Sequence, residues 1–398
     1  MRILYLQQIL VLPESAGNDR CWEFACHWRD AGHEVTFITS PAGFGPSDRQ
    51  PGERVRDGIR IVAIDVPYAH KMPFPKRVVS FVSFFLKAKK AALRLPKPDV
   101  VVAYSAPLSV GELGRQLARH WQVPLVFEVA DVWPDVPAGM GVIPRGPWLA
   151  WLYRRTRRIY AQAQVIVPFT PGMKQQIEAH GVPPAKVKVV YNGVGENARR
   201  VNPQPKDGQR PVRVLYLGTL GVANRADQLV RAVALLEKEM ESLPPFEVQV
   251  VGSGNDEKRF LGEIARLGVQ SVVYRGQVAR SEIGEILAGA DVGVISFAPF
   301  PVLEANGATK FFDYLAAGLP VVINYGGWQA EWLERHLCGM WSPQGDEASF
   351  AWNLARLIEH SVLREEMGSR AKASAGPEFD RKNLALYELS LIESAINA

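Results

Sequence analysis

Short apolar runs alternate with amphipathic stretches along almost the whole chain. In the first half, the runs of strand type are Arg2–Gln7, Glu34–Thr39, Ile59–Asp65, Val100–Tyr104, Leu125–Val129, Val165–Phe169 and Val187–Tyr191. In the second half they are Val212–Leu217, Phe246–Val251, Val272–Arg275, Val292–Ile295 and Pro320–Asn324. Because strands that alternate with helices build doubly wound parallel sheets, this pattern predicts an α/β fold. Ligands of such sheets bind at the carboxyl ends of strands, so the loops there are the candidate site.

The composition changes between Gly195 and Pro211, where Asn, Arg, Pro, Lys, Asp, Gly and Gln predominate, and such a segment is typical of a linker. A chain of 398 residues also exceeds what a single core usually holds. We therefore predict an N-terminal Rossmann-like domain over residues 1–200 and a C-terminal one over 212–378, with parallel sheets facing across a cleft. Residues 379–398 are expected to form a helix that crosses back to the N-terminal domain.

The stretch from Asn306 to Asn324 predicts a turn, a short helix and a buried strand. Thr309 is a candidate N-cap, and Gly318 is expected to end the helix. A helix start directs unpaired N–H groups and a positive dipole end outward, which suits phosphate. Lys310 adds a full charge, and Asp313 has the chemistry to accept hydrogen bonds from sugar or ribose hydroxyls. The alternative is an ordinary surface helix that carries one Lys and one Asp.

Glycines follow two predicted strands of the second half. Gly218 and Thr219 open a loop that leads to Arg225, which has the charge to meet a diphosphate. Gly252 follows the next strand, although a Gly-x-Gly there is more often a tight turn than a binding site. Gln277–Val278 ends a third strand, where backbone groups have the position to bind a nucleobase edge.

The loop after the first strand contains Gly17 and Arg20. Gly17 would let the backbone approach a ligand, and Arg20 would reach an anion. A flexible connection with a solvent-facing Arg is the alternative. Because the loop lacks the three-glycine dinucleotide fingerprint, a nicotinamide cofactor is poorly supported.

Polar side chains also follow the fourth and fifth strands. Ser105 comes after the fourth strand, and Glu128, Asp131, Trp133 and Asp135 fall within eight residues after the fifth. Carboxylates at a strand end suit contacts with substrate hydroxyls or acid–base chemistry. The alternative is that Asp131 caps the next turn while Trp133 packs inside.

Bulk properties restrict the class of protein. A hydrophobic content of 47% with 22% charged residues describes a globular chain, and the net charge of +5 suits anionic partners such as nucleotides or lipid headgroups. The three cysteines show neither metal-ligand spacing nor a disulfide framework, which favours a reducing cytoplasm. We see no signal peptide and no apolar run near the roughly 18 residues that span a bilayer.

A basic and aromatic segment runs from Lys71 to Lys97, and Trp148 to Arg158 has a similar character. A helix of this composition fits the edge of an anionic membrane. It fits equally well a core helix with a solvated Lys face. The membrane interpretation predicts a lipid-linked acceptor.

The chain resembles a known family in several motifs that occur in the family's order. They are Arg20-Cys-Trp-Glu23, Gly32-His-Glu-Val35, Ser105-Ala-Pro107, Glu128 to Asp135, Gly218-Thr-Leu-Gly221, Ala290-Asp291-Val-Gly293 and Thr309-Lys310-Phe-Phe-Asp313-Tyr-Leu-Ala-Ala-Gly318. These motifs are similar to those of the family 4 retaining glycosyltransferases of the GT-B fold. Among them, the chain resembles the WbuB-like subgroup that acts in surface-polysaccharide assembly.

The resemblance implies a UDP-sugar donor held mainly by the C-terminal domain and an acceptor held by the N-terminal domain. The implied catalytic residues are Asp131, Lys310 and Arg225. The implied donor-binding residues are Gly17, Arg20, Gly218, Thr219, Gly252, Gln277, Val278, Asn306, Gly307, Ala308, Thr309 and Asp313. The implied acceptor-binding residues are Ser105, Glu128, Trp133 and Asp135. Neither a metal nor a cofactor is expected, since basic side chains stabilise the leaving diphosphate.

Three positions depart from the family pattern. The first Glu of the Glu-x7-Glu motif falls at Ala305, with Glu304 one residue early. The usual Lys of the first C-terminal loop falls at Asn224, and the usual His beside Asp131 is Ala130. In a front-face retaining mechanism the leaving phosphate takes the acceptor proton, so no protein nucleophile is required.

The resemblance and the residues together predict a retaining, metal-independent glycosyltransferase of hexosyl or N-acetylhexosaminyl type. Its acceptor is expected to be a lipid-linked glycan, with no nucleic acid partner and a cytoplasmic location at the inner face of the cell membrane. Two alternatives stay open. One is a GT-B sugar-nucleotide epimerase or hydrolase, and the other is a non-catalytic nucleotide-sugar-binding subunit.

Overall fold

The computed structural model describes residues 1–15, 17–45, 48–69, 72–105, 107–199, 201, 210–239 and 243–397. The chain forms two compact units, one made of Met1–Asn192 with Arg381–Ala398 and the other of Gly193–Asp380. Much of the segment predicted to be a linker lies outside the described residues. Among the described residues, no helix is both long enough and apolar enough to cross a bilayer.

The N-terminal unit is built on a seven-stranded sheet. Its strands are β1 (Arg2–Ile9), β2 (Glu34–Ser40), β3 (Gly52–Arg56), β4 (Ile59–Ala63), β5 (Val100–Tyr104), β6 (Leu125–Val129) and β7 (Val165–Pro168), in the order β3-β4-β2-β1-β5-β6-β7. All neighbours are parallel except β3 and β4, and β3 was not among the predicted strands. The strand predicted at Val187–Tyr191 does not form, since Val187 makes only an isolated bridge to Ile166.

Helices cover both faces of this sheet. They are α1 (Arg20–Asp30), α2 (Phe74–Ala92), α3 (Leu108–Trp121), α4 (Asp135–Gly139), α5 (Pro147–Gln162), α6 (Pro171–Ala179) and α15 (Arg381–Asn397). Alternate residues of β1 enter two cores, because successive side chains of a strand point to opposite faces. Leu4 and Leu6 join the core of α2, α3 and α5. Ile3 and Tyr5 join the core of α1 and α15.

The C-terminal unit is built on a second sheet. Its strands are β8 (Val212–Leu217), β9 (Phe246–Val251), β10 (Val272–Gly276), β11 (Val292–Ile295), β12 (Val321–Ile323) and β13 (Gly339–Trp341), in the order β10-β9-β8-β11-β12-β13. Its helices are α7 (Glu196–Arg199), α8 (Asp227–Glu239), α9 (Glu257–Leu267), α10 (Ile283–Ala288), α11 (Lys310–Ala316), α12 (Trp328–His336), α13 (Glu347–Glu359) and α14 (Ser361–Ser374). Every strand pair is parallel, so the predicted α/β fold is confirmed.

The strand order of the C-terminal sheet reverses at β8. The chain moves from β8 to β9 and β10 on one side, and then to β11, β12 and β13 on the other. Crevices at such a reversal, at the carboxyl ends of the strands, are where α/β sheets bind ligands. The loops after β8 and β11 therefore frame the candidate site of this unit.

Candidate functional site

Lys310 is the residue on which the candidate site depends. It begins α11, is 8% exposed, and places Nζ 4.1 Å from the centroid of the Tyr216 ring on β8. Within the described part of the chain, Nζ has no hydrogen-bond partner. Burial lowers the pKa of this ammonium group to about 7. A buried charge without a partner is unfavourable by itself, so this position suits an anionic ligand.

Two glycines allow the loops around Lys310 to approach one another. Gly218 follows β8 with φ 144°, and a Cβ atom there would lie 2.7 Å from the Nζ atom of Lys310. Gly252 follows β9 with φ 136°, and its Cβ would lie 1.9 Å from the carbonyl oxygen of Gly218. The structure thus brings together Lys310, Gly218 and Gly252, which the sequence assigned to one site. Their contact with a donor stays a prediction.

The segment before Lys310 differs in two respects from its prediction. Thr309 has helical angles, φ −61° and ψ −36°, and makes no side-chain capping bond, so its assignment as a capping side chain is wrong. Ala308 uses its N–H to donate to Oε1 of Gln329 at 3.2 Å, so this group does not face a phosphate as predicted. Asn306 and Gly307 are half-buried beside it. Gly318 has φ 70° just after α11, as expected for a helix end.

The two acidic residues of this region are both half-buried but lie in different places. Asp313 is half-buried in the first turn of α11, and its binding to a ribose stays a prediction. Glu304 packs against the loop after β12, where a Cβ on Gly326 would lie 3.4 Å from its Oε1 atom. A Cβ on Gly327 would lie 2.2 Å from the carbonyl oxygen of Glu304. The carboxylate one residue early in the family motif therefore lies beside the carboxyl end of β12.

Arg225 does not offer a free charge. Its Nε and Nη2 atoms donate to the two carboxylate oxygens of Asp227 at 2.9 and 3.0 Å. Burial raises the pKa of Asp227, but hydrogen bonds from Arg225 and Arg231 outweigh it and hold that pKa below its ordinary value. Arg225 has a left-handed backbone, with φ 44°, and Asp227 lies two residues further along the chain. The prediction that Arg225 neutralises a donor diphosphate therefore disagrees with its pairing.

The remaining predicted donor residues flank the glycine loops. Thr219 is exposed, and its carbonyl oxygen accepts hydrogen bonds from Tyr216 at 3.0 Å and Asn224 at 2.9 Å. Gln277 is exposed and accepts a 3.5 Å hydrogen bond from Ser253, beside Gly252. Val278 is half-buried in the same loop. Their roles in donor binding stay predictions.

In the N-terminal unit, Arg20 and Glu128 are buried partners of one another. Nη1 of Arg20 donates to Glu128 at 3.2 Å, and Nη2 donates to Glu388 of α15 at 2.7 Å. The guanidinium also lies between the rings of Phe24 and Phe169, at 4.0 and 4.4 Å. Arg20 is 1% exposed and Glu128 0%, so neither side chain reaches a ligand as predicted. Both instead attach α15 to the sheet.

The other residues predicted to bind the acceptor divide between two places. Ser105 accepts a hydrogen bond from the Ala130 N–H at 3.1 Å and donates to the Asp131 carbonyl at 3.5 Å, so the ends of β5 and β6 meet there. Asp131 is half-buried at this edge. Asp135 instead lies on α4, where His180 approaches it at 2.9 Å.

Trp133 and Gly17 complete the set of predicted residues. Trp133 is half-buried and packs against the core of α2, α3 and α5, which favours the packing alternative for its ring. Gly17 is exposed with φ 130°, a backbone conformation that side chains rarely adopt. The ligand contacts predicted for both stay untested.

Sequence reasoning missed the buried polar residues that hold the loops of the C-terminal unit. Asn324, at the end of β12, accepts from the Phe297 N–H at 2.8 Å and donates to Gln228 at 3.3 Å. Ser296, at the end of β11, donates to the Asn224 carbonyl at 2.7 Å. Polar residues directly after an apolar run were the available signal. In the described ranges, no three side chains of His, Cys, Asp or Glu group together as a metal site.

Two domain families match this chain. The family described as a glycosyl transferase 4-like domain matches residues 16–193, and the family described as glycosyl transferases group 1 matches residues 198–374. Together they cover most of the sequence.

Two curated relatives show the same class. The uncharacterized glycosyltransferase MJ1607 of Methanocaldococcus jannaschii is 25% identical over 253 residues, which are 60% of this chain and 61% of that protein. The amylovoran biosynthesis glycosyltransferase AmsK of Erwinia amylovora is 25% identical over 240 residues, 59% of this chain and 57% of that protein. The match therefore spans less than two thirds of the length of either relative.

Solved structures share the fold. Sucrose-phosphate synthase of Thermosynechococcus elongatus superposes with a TM-score of 0.78 at 15% identity, over 99% of this chain and 98% of that one. Anabaena HepE, solved in complex with UDP and glucose, gives 0.73 at 17% identity, over 99% and 100%. The two parallel sheets and these likenesses define the class as the GT-B fold. The chain therefore combines an N-terminal glycosyl transferase 4-like domain with a C-terminal glycosyl transferases group 1 domain.

Proposed function

We propose that the chain is a retaining glycosyltransferase that takes its sugar from a nucleotide-sugar, and that UDP is the nucleotide. The observation that carries this proposal is the buried ammonium group of Lys310, which lacks a hydrogen-bond partner among the described residues. A diphosphate would supply the missing negative charge. The use of UDP draws support from HepE, which was solved in complex with UDP and glucose.

In the proposed reaction, the bond between the sugar C1 and the diphosphate oxygen breaks. A bond between C1 and an acceptor hydroxyl oxygen forms on the same face, and the acceptor proton passes to the released phosphate oxygen. Lys310 stabilises the negative charge that develops on the diphosphate, which is the charge a metal would otherwise balance. Asp131, half-buried at the end of β6, positions a hydroxyl of the acceptor or donor. The proposed reaction therefore needs neither metal nor cofactor.

The proposed acceptor is a lipid-linked glycan used in surface-polysaccharide synthesis, as in the WbuB-like subgroup. AmsK, a relative named for amylovoran biosynthesis, supports the polysaccharide part. The surface of α2 supports the lipid part. Its Val79, Val82 and Leu86 follow one another at helical spacing and are 69%, 53% and 60% exposed.

The charges on α2 support docking of this helix to an anionic membrane surface at the cytoplasmic side. Lys76, Lys87 and Lys90 are exposed around the apolar stripe, and residues 66–98 contain no Asp or Glu. Phe84 of the same helix lies on the opposite side, since it is 0% exposed in the core. One face of α2 thus packs as a core helix, and its opposite face presents aliphatic and basic side chains, as membrane-surface helices do.

The proposal is tested by the substitution Lys310→Met. Measured by calorimetry in buffer with EDTA, the wild-type protein is expected to bind UDP. Lys310→Met is expected to weaken this binding by roughly 10- to 100-fold, since a charge-assisted contact is lost. The same substitution should raise the unfolding temperature of the ligand-free protein, because it removes an unpaired buried charge.

A control and a turnover assay complete the test. Lys258→Met alters an exposed Lys on α9 and should change neither binding nor unfolding temperature. UDP-sugar consumption that depends on an added lipid-linked acceptor supports transfer. Consumption without acceptor would indicate the hydrolase or epimerase alternative, and binding without consumption would indicate a non-catalytic subunit.

A further inference from the structure

The segment that leads into Lys310 is held by side chains of α12. The indole Nε1 of Trp328 donates to the carbonyl oxygen of Asn306 at 3.2 Å. Gln329, which is 0% exposed, donates from Nε2 to the carbonyl oxygen of Ala308 at 3.3 Å. It also accepts at Oε1 from the N–H of Ala308 at 3.2 Å. One side-chain amide therefore contacts both polar backbone groups of a residue two positions before Lys310.

The orientation of the Gln329 amide is itself fixed. The hydroxyl of Tyr325 donates to Oε1 of Gln329 at 2.6 Å, and Tyr325 is 0% exposed. Burial raises the pKa of this hydroxyl well above its ordinary value, so it stays a donor. Because the oxygen of the amide is held by Tyr325, its nitrogen faces the Ala308 carbonyl.

The chemistry of this contact restricts which residue serves it. An amide both donates and accepts, as the N–H and carbonyl of one backbone residue require. An ionised Glu would accept from the Ala308 N–H but would face the Ala308 carbonyl without a proton. Met has a similar length and would satisfy neither group. A buried polar backbone group without a partner is unfavourable, so the segment would shift.

We propose that Gln329 is a positioning residue for the donor, which sets the backbone at Ala308 so that Lys310 projects its ammonium group beside Gly218. The inference rests on the proposed function, because it assigns a role towards the same nucleotide. Gln329 touches neither nucleotide nor sugar in this role. It acts through Thr309, the one residue between Ala308 and Lys310.

The test is a double-substitution cycle on UDP binding, measured by calorimetry with EDTA. Gln329→Met is expected to weaken UDP binding by about tenfold, which is the value of one to two lost hydrogen bonds. In the Lys310→Met background, the same change is expected to have less than about a twofold effect, because the ammonium group it positions is gone. A merely structural role would give the same factor in both backgrounds.

Two further variants separate positioning from general stability. Asn353→Leu removes another buried amide of this unit. Asn353 lies on α13, and its side chain donates to the Trp341 carbonyl at 2.9 Å. The substitution should lower the unfolding temperature and leave UDP affinity unchanged. Gln329→Glu should be compared with the wild-type protein at the same pH, because the Lys310 ammonium group itself titrates with a pKa of about 7. The variant should bind UDP more weakly than the wild type at pH 8 and approach the wild-type affinity at pH 5, where burial favours a neutral carboxyl that donates to the Ala308 carbonyl.

The outcomes are distinguishable. If the wild-type protein binds UDP and Lys310→Met does not, while Gln329→Met and Gln329→Glu bind as the wild type, the positioning role is overturned and the proposed function stands. An equal loss in both backgrounds also overturns it. If the wild-type protein binds none of UDP, GDP and ADP, the proposed function and this inference both fail. If Gln329→Met does not fold, the Gln329→Glu pH series gives the decision.

Discussion

At the scale of single residues, the ammonium group of Lys310 is buried and has no hydrogen-bond partner among the described residues. An unpaired charge in such a place destabilises the ligand-free fold. Such sites persist when a ligand completes them, which is the usual relation between function and stability at a binding site. Gly218 is part of the arrangement, because only a residue without Cβ leaves room for the Lys side chain.

We therefore expect Gly218→Ala to weaken UDP binding. The new Cβ would lie 2.7 Å from Nζ of Lys310, so the flexible end of the Lys must move away. A loss of at least about tenfold in affinity is expected, of the order of one displaced charged contact. Calorimetric titration with UDP measures it, alongside the unfolding temperature.

The matched control is Gly268→Ala, at the end of α9. Gly268 also has a left-handed φ, 67°, but no atom lies within 4 Å of a Cβ placed there. It should show the strain of the backbone, about 1–3 kcal/mol, without a loss of UDP affinity. Equal UDP affinities for the two variants would contradict the contact between Gly218 and Lys310 as the cause.

The sequence assigned Lys310 and Gly218 to one site, and the structure brings the two residues together. It did not predict the pairing of Arg225 with Asp227, which depends on a left-handed backbone at φ 44°. Nor did it predict the burial of Arg20, whose partner Glu388 lies far along the chain. Charge can be read from sequence, but whether a charge is already paired depends on tertiary contacts.

At the scale of elements, apolar runs located the buried strands and the edge strands β7 and β10, but missed the edge strands β3 and β13. β8, β9 and β11 have the predicted bounds. The edge strand β3 is polar, and its only signal is the Asp57-Gly58 turn before β4. The run at Val187–Tyr191 is apolar because it packs in the core, as the burial of Val187 shows, and not because it joins the sheet.

The final helix, α15, is held to the N-terminal unit by buried charges. Arg20 contacts both Glu128 and Glu388, and Arg381 at the start of α15 contacts Asp19 at 2.9 Å. Burial, and then the neighbouring charge of Glu128, raise the pKa of Glu388 well above its ordinary value. Two buried carboxyl groups therefore share one guanidinium, and this arrangement favours the protonated form of Glu388.

This pKa shift predicts a pH dependence of stability. Because the pKa of Glu388 is higher in the folded state than in the unfolded state, its contribution to folding stability is complete below the unfolded pKa. That contribution is lost as the pH rises towards the folded pKa. Glu388→Gln supplies a permanent donor in place of that proton. In the wild-type protein, ionisation of Glu388 should lower the unfolding free energy by up to about 1.4 kcal/mol per pH unit above pH 4.5, and the substitution should remove this decrease. Denaturant unfolding from pH 5 to 9 measures it.

The control for this prediction lies on the same helix. Glu393 is 51% exposed, so Glu393→Gln should leave the slope as in the wild-type protein. An identical pH dependence for wild type and Glu388→Gln would show that the Glu388 carboxyl carries no proton in the folded state.

At the scale of the whole molecule, the net charge of +5 favours attraction to anionic surfaces, and α2 is the proposed contact surface. Replacing Val79, Val82 and Leu86 together by Glu should abolish flotation with vesicles that contain anionic lipid. The reason is that apolar contact and charge attraction are lost at once. Vesicle flotation at low and physiological salt measures the bound fraction.

Val55→Glu is the control for membrane binding, since Val55 is 72% exposed on β3 and lies outside α2. Its flotation should equal that of the wild-type protein. Failure of the wild-type protein to float with anionic vesicles would contradict a membrane-bound acceptor. UDP affinity should be unchanged in all these variants, which separates docking from donor recognition.

The return of α15 to the first unit reverses the order in which the chain can finish folding during translation. Domains generally fold as they leave the ribosome, with the N-terminal one first. Here Glu388, which pairs with Arg20, is synthesised only after Gly193–Asp380, and that segment is contiguous and complete before it. The second unit can therefore reach its native state while the first still awaits its closing helix. A stalled or prematurely terminated chain would release a finished second unit attached to a first unit whose apolar surface is still uncovered.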